Sequence, residues 1–237
     1  IITHYRRPGR PPSRQLMNVA SALAIIAGVG CIVFVDLPLV NGPFVLDDQS
    51  KIRDNPEIRE VGLALMKRRV GSEHASEELL YNDPSRPLVS LTFQLNYYAD
   101  GTRPNGYRVV NILIHVLNAV LTHALASAIG QSILPKSQRI NNGPLLAALL
   151  FLSAPLNHGT AVYCYARSDL MGGTFSLLYT LAGLHALSTR REARQARQAS
   201  SLASSWPLMS PSMLLALLGA LLCKQLALIV PTMLAYL

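Results

Sequence analysis

Residues 107–130 read YRVVNILIHVLNAVLTHALASAIG, a run long and apolar enough to cross roughly 30 Å of hydrocarbon at about 1.5 Å per helical residue. Within it Asn111, His115, Asn118 and Thr122 recur at spacings of four, three and four, which puts them on one face of a helix. Polar side chains are expensive against lipid, so this face must look into a bundle or a wet cavity. It serves either interhelical hydrogen bonding, worth about 0.6 kcal/mol per bond, or the lining of a substrate path. For the second role His115, nearest the outer end, is the best placed.

The rest of the chain has the same character. Half of its residues are hydrophobic and only 14% are charged, and mean hydropathy is +0.29, a balance foreign to water-soluble domains. We therefore expect an all-α integral membrane protein, a helical bundle of five or six spans. The candidates are residues 16–35, 107–130, 143–162, 170–188 and 208–223, with a shorter apolar run at 226–237. The first is too long for a signal-peptide core and has no obvious small-residue cleavage site, so it reads as a retained helix. The chain opens at Ile1 and stops at Leu237 inside an apolar run, and we expect it to be part of a longer polypeptide.

Charge sets the expected orientation, because Lys and Arg are held on the cytoplasmic side in short loops. Arg6, Arg7, Arg10 and Arg14 lie in the basic tail, residues 1–15; Lys136 and Arg139 lie between the second and third spans; Arg190, Arg191, Arg194 and Arg197 lie between the fourth and fifth. Glu192 is the only acid among these segments. Residues 36–108, by contrast, hold nine basic and eleven acidic residues, which makes 36–106 the non-cytoplasmic loop. The net charge of +8 is thus topological, and it does not mark a nucleic-acid-binding face. The run Arg190–Arg197 reads as a stop-transfer signal or as a contact for anionic headgroups. Cys31, Cys164 and Cys223 form neither a disulfide framework nor a metal-ligand spacing.

The first loop is long enough to carry structure of its own. Asn55 as cap, Pro56 at the first helical position and Glu57 in the first turn open an amphipathic helix with Ile58, Val61 and Leu65 on one face. Lys67, Arg68 and Arg69 suit its last turn through the helix dipole. A second begins near Pro87 and spaces Leu88, Leu91, Leu95 and Tyr98 helically. Both are expected to lie flat in the headgroup layer, joined by a polar linker over residues 71–82. Just beyond the first span stand Asp47 and Asp48, adjacent carboxylates at the expected mouth of the bundle. Arg167 and Asp169, between the third and fourth spans, map to the same side, as a structural ion pair or as part of a substrate path. Lys224 either snorkels to the surface or binds a phosphate at the interface.

The order of these motifs resembles the class C glycosyltransferases, in particular the transmembrane and tetratricopeptide-repeat O-mannosyltransferases and their bacterial relatives. The resemblance rests on Phe44 to Asp48 followed by Ile52 and Asn55, on Arg86-Pro87-Leu88, on Leu95-Asn96-Tyr97 with Gly101 and Gly106, and on Val110-Asn111 with His115. It continues through Leu150 to Pro155, Arg167-Ser168-Asp169 and Leu222-Cys223-Lys224. It implies an enzyme that moves a sugar from a polyprenyl- or dolichyl-phosphate carrier to a protein hydroxyl on the luminal or external side, typically with inversion. Asp47 or Asp48 is then the base, and Arg86, Asn111, His115, Arg167, Asp169 and Lys224 bind substrate. No metal is implied. The membrane would be the endoplasmic reticulum in a eukaryote and the inner membrane in a bacterium.

Three positions depart from the family's pattern: Gly159 where an acid follows the proline by four, Gln225 in place of the Glu after Lys224, and Ala154 in place of a His. They motivate a second expectation, a catalytically silent relative kept as a structural subunit among neighbouring membrane proteins. A secondary transporter ranks last, for want of an internal repeat or paired broken helices.

Overall fold

A computed structural model describes residues 28, 30, 39–59, 86–132, 135, 142–197 and 210–224, with the side chains of 158 and 190–197 left aside. Six helices organise them: α1 (Pro87–Asp100), α2 (Pro104–Ser132), α3 (Gly143–Ser153), α4 (Pro155–Val162), α5 (Arg167–Arg197) and α6 (Pro211–Cys223). Shorter helical turns occupy Gln49–Arg53, Pro56–Arg59 and Cys164–Ala166. No strand occurs among the described residues. Two stretches are long and apolar enough to cross a membrane, Pro104–Ser132 and Cys164–Thr189, and a third forms if α3 and α4 count as one bent span. Apart from residues 28 and 30, the expected span at 16–35 lies outside the described residues, as do the run at 226–237, the linker at 71–82 and Gln225.

Residues 143–162, expected as one span, bend by 52° between α3 and α4. Pro155 is the cause: it has no N–H to give the Phe151 carbonyl, and it drives Ala154 into extended backbone (φ −64°, ψ 121°). The broken turn is mended by side chains. Asn157 Nδ2 donates to the Phe151 carbonyl at 3.1 Å, and the Leu152 carbonyl lies 3.4 Å from His115 Nε2. Helix α6 is 13 residues long, short of the roughly 20 that a span needs. It opens on the Ser210 hydroxyl, which accepts the Met213 N–H, and Gly219 lets the Phe175 ring close against it.

Of the two loop helices, the first is described only at its start and the second differs from its expected form. Of the first, the structure describes a single turn, Pro56–Arg59, with Asn55 Oδ1 accepting the Glu57 N–H at 2.8 Å; residues beyond it lie outside the description. The second is α1, stopped by Gly101 in the left-handed region at φ 63°. Its Val89, Ser90, Phe93, Gln94 and Asn96 are buried, whereas Leu95 and Tyr98 are 58% and 59% exposed. The Leu95 and Tyr98 end of the expected face is thus left outward, while Leu88 packs against the core; a more polar face packs inward because partners await it: Gln94 Nε2 donates to the Glu57 carbonyl.

Phe44, Ile52 and Ile58 from the loop join Val89, Phe93, Tyr107, Cys164, Met171 and Cys223 in one buried cluster. Phe44 meets the Tyr107 ring edge-on, centroids 5.8 Å apart. Burial of such side chains is worth about 1.5–3 kcal/mol each. The loop is therefore docked onto the helix ends, and the carboxylates that follow Phe44 have a fixed address.

Candidate active site

Backbone geometry separates Asp47 from Asp48. Leu46, 80% exposed, sits in the left-handed region at φ 50°, where a side chain costs about 1–2 kcal/mol. The chain then turns tightly, with the Asp48 N–H bonded to the Val45 carbonyl. Successive residues in such a turn point about 100° apart, so Asp47 faces outward and Asp48 inward. Asp48 is fully buried; its Oδ1 accepts the Tyr165 N–H at 2.8 Å and its Oδ2 the Cys164 N–H at 3.4 Å. It thus caps the N-terminal end of the long Cys164–Thr189 helical stretch, where a negative charge is favoured. Burial nevertheless pushes its carboxyl above the usual 3.8, outweighing the backbone hydrogen bonds that pull it down.

Asp47 is exposed, and its Oδ2 accepts the Tyr163 hydroxyl at 3.0 Å. Burial, and then the hydrogen bond to Asp47, push the Tyr163 phenol above its ordinary value, so it remains a donor throughout the physiological range. One carboxylate oxygen is thereby oriented and the other left open. This is the arrangement of a positioned general base.

Arg108 holds the loop in place. Buried on the second turn of α2, it donates from Nε to the Val162 carbonyl at 3.1 Å and from Nη1 to that of Val40 at 3.1 Å, with further bonds to Gly42 and Pro43. Among the described residues no carboxylate enters this cluster. Neither Arg108 nor Tyr163 stood out in the sequence; the available signal for the first was an arginine inside an otherwise apolar run.

Arg167 lies deepest. Its Nε donates to Asn111 Oδ1 at 2.8 Å, Nη1 to the Thr92 carbonyl and hydroxyl at 3.2 and 3.3 Å, and Nη2 to the Tyr107 carbonyl at 3.0 Å. The guanidinium carbon stands 4.6 Å from the Phe93 ring centre. Asn111 in turn donates to the Tyr163 and Cys164 carbonyls at 3.0 and 3.2 Å. The pair therefore ties α1, α2 and the start of α5 into one node. Fully buried, Arg167 has no face toward a ligand at the mouth.

His115 is also buried, its ring stacked on Phe151 with centroids 5.3 Å apart, and it serves the broken turn of α3. Farther along the same face, Asn118 Nδ2 donates to the Leu170 carbonyl at 2.9 Å and its Oδ1 accepts the Thr174 hydroxyl at 2.6 Å. Asn111, His115 and Asn118 are thus occupied by bonds to the start of α5 and to the α3–α4 break, whereas Thr122 bonds within α2 to the Asn118 carbonyl at 2.8 Å.

Asp169 pairs with Lys224 at the end of α6 rather than with its neighbour Arg167; both side chains are partly exposed. Arg86 Nη1 donates to Ser168 Oγ at 3.2 Å. Hence Asp47, Tyr163, Arg86, Asp169 and Lys224 share one end of the helices, all five at least partly exposed around the buried Asp48–Arg167 framework. Gly159 lies on the adjoining α4, and a Cβ placed there meets nothing within 4 Å. Among the described residues no three metal-ligating side chains gather.

The chain is similar over most of its length to protein O-mannosyl-transferases of the TMTC kind. Human TMTC4 is 33% identical over 195 residues, 78% of this chain and 25% of that protein. Drosophila melanogaster Tmtc1 is 30% identical over 222 residues, 92% of this chain and 23% of that protein. Human TMTC1 is 29% identical over 194 residues, 78% and 20% respectively. The chain thus spans about a quarter of the length of the curated relatives it matches. No protein-family model and no solved structure matches it.

Proposed function

We propose that the chain forms the mouth of a class C membrane glycosyltransferase, O-mannosyltransferase-like, taking its sugar from a polyprenyl-phosphate carrier and passing it to a protein hydroxyl. The observation that carries this reading is the exposed Asp47 carboxylate oriented by the Tyr163 hydroxyl. Asp47 accepts the proton of the Ser or Thr acceptor as its oxygen attacks the anomeric carbon from the face opposite the phosphate. The sugar–phosphate bond breaks with inversion, and the carrier leaves as its phosphate. Lys224 and Arg86 meet the charge that develops there, in competition with Asp169 and Ser168. Asp48, Asn111 and Arg167 hold the platform. The full bundle has five or six spans, with the N-terminus cytoplasmic and the Asp47 mouth luminal or external. That is the endoplasmic reticulum lumen in a eukaryote and the outer face of the inner membrane in a bacterium.

Transfer from a radiolabelled polyprenyl-phosphate mannose to a Ser/Thr peptide tests the reading. Asp47→Asn should cut the rate by about 10²–10⁴, and transfer that persists in Asp47→Asn combined with Asp48→Asn sinks it. A second reading, a silent subunit of a larger membrane assembly, is favoured by Gly159, where open space stands in place of an acid. It requires stoichiometric copurification with partner proteins and no transfer by the isolated chain.

A further inference from the structure

Asp47 and Tyr163 stand 116 positions apart, and neither sits inside a regular helix that would fix its place. Tyr163 lies just past α4 in extended backbone (φ −78°, ψ 111°), and Asp47 follows a loop that turns where the Gly42 N–H meets the Leu39 carbonyl. One side chain grips both segments. Arg108, 2% exposed, donates from Nε to the Val162 carbonyl, the residue before Tyr163, and from Nη1 and Nη2 to the Val40, Gly42 and Pro43 carbonyls ahead of Asp47. Asn111, one turn along α2, takes the Tyr163 carbonyl itself at 3.0 Å. The backbone on either side of the phenol-bearing residue therefore hangs from α2.

A guanidinium is planar, with its donors fixed in a fork, so its plane sets the spacing between the two segments as well as their attachment. Stability alone is a poor account of it. Among the described residues only carbonyls meet the charge, and a buried ion carries a desolvation cost that an apolar side chain avoids. We propose that Arg108 is a positioning residue for sugar transfer: it sets the distance at which the Tyr163 hydroxyl orients the Asp47 carboxylate. The catalytic part of this rests on the reading above, in which Asp47 takes the acceptor's proton; the control of the Asp47–Tyr163 bond stands on geometry. Arg108→Lys keeps the charge and loses the fork. Gly42→Ala leaves Arg108 whole but crowds its loop partner, since a Cβ at 42 stands 3.2 Å from the Leu39 carbonyl and 3.5 Å from Arg108 Nη1; it serves if Arg108→Lys does not fold.

Fluorotyrosine is placed at position 163 of the chain in nanodiscs, and its fluorine NMR resonance is read beside transfer from a polyprenyl-phosphate mannose to a Ser/Thr peptide. We expect Arg108→Lys to move the resonance most of the way to its place in Asp47→Asn. It should also lower kcat about tenfold while KM for the donor stays within about twofold. Gly42→Ala should shift both readouts in the same direction by less. Tyr163→Phe added to Arg108→Lys should cost under about twofold more. A folded Arg108→Lys with the wild-type resonance, a loss carried by KM, or losses that multiply with that of Tyr163→Phe each overturns the proposal. If the wild type transfers no sugar, the functional reading falls, and the resonance alone decides whether Arg108 sets the bond.

Discussion

The Asp48 carboxylate accepts the Tyr165 backbone N–H at 2.8 Å, joining positions 117 apart in sequence. With the Cys164 N–H on its other oxygen, it fastens the first loop to the start of the second long helical stretch. Asp48→Ala leaves two N–H groups without that acceptor, at about 1–3 kcal/mol each. We expect its unfolding midpoint in detergent to fall clearly below that of Asp48→Asn, which keeps one acceptor oxygen, while Asp47→Asn stays near wild type. A melt in which Asp47→Asn is the least stable of the three contradicts this division of roles.

Asp48 also carries a pH dependence. Its folded carboxyl titrates above the ordinary 3.8 because of burial, so between 3.8 and that raised value the folded state holds more proton than the unfolded one. Stability contributed by this group therefore falls as pH rises through the window, and at neutral pH the buried charge is a cost. Melts from about pH 4 to about pH 7 should show this falling component in wild type and its absence in Asp48→Asn. A component of opposite sign refutes the assignment.

Tyr163 acts through Asp47 rather than on the substrate. We expect Tyr163→Phe to lower kcat about tenfold with little change in KM for the lipid-linked donor. In the Asp47→Asn background the same change should add almost nothing, because the bond it removes has lost its purpose. Additive losses would place Tyr163 in direct contact with substrate.

Arg167→Lys removes the guanidinium fork from Asn111, Thr92 and Tyr107. A lysine reaches at most part of that set and loses the ring contact, so a loss of about 2–3 kcal/mol is expected. It should appear as reduced yield and a lowered melting midpoint, with phosphate affinity unaffected. A selective loss of donor binding without destabilisation would move Arg167 from the framework to the ligand.

Gly159→Asp bears on the silent-subunit reading. Since open space surrounds the position, the protein should fold as wild type does. A gain in transfer over an inactive wild type would identify the missing acid as the cause of silence; an active wild type removes that cause altogether.

Periodicity made the polar face of α2 legible, because a spacing of four, three and four admits one helical face wherever the helix lies. What the face serves was not, since Asn111, His115 and Asn118 spend their groups on carbonyls 37 to 53 positions away. The bend at Pro155 was readable in principle from the proline itself, yet hydropathy runs unbroken across it. Tyr163 and Arg108 were out of reach for a different reason: each is defined by a partner in the first loop, and no local pattern announces a contact across 116 positions. The Asp47–Asp48 doublet stood out at once, but two identical neighbours are told apart only by the backbone that aims them.

Leu46 is where that aim is taken. A residue with a Cβ held left-handed just ahead of the doublet means that the asymmetry of two identical acids is written in a torsion angle, and no side-chain substitution at either aspartate reproduces it. Glycine at 46 would accept the torsion freely, at the risk of letting it wander; valine or isoleucine would resist it. Variation at this exposed and chemically inert position should therefore be filtered as severely as variation at the acids it precedes.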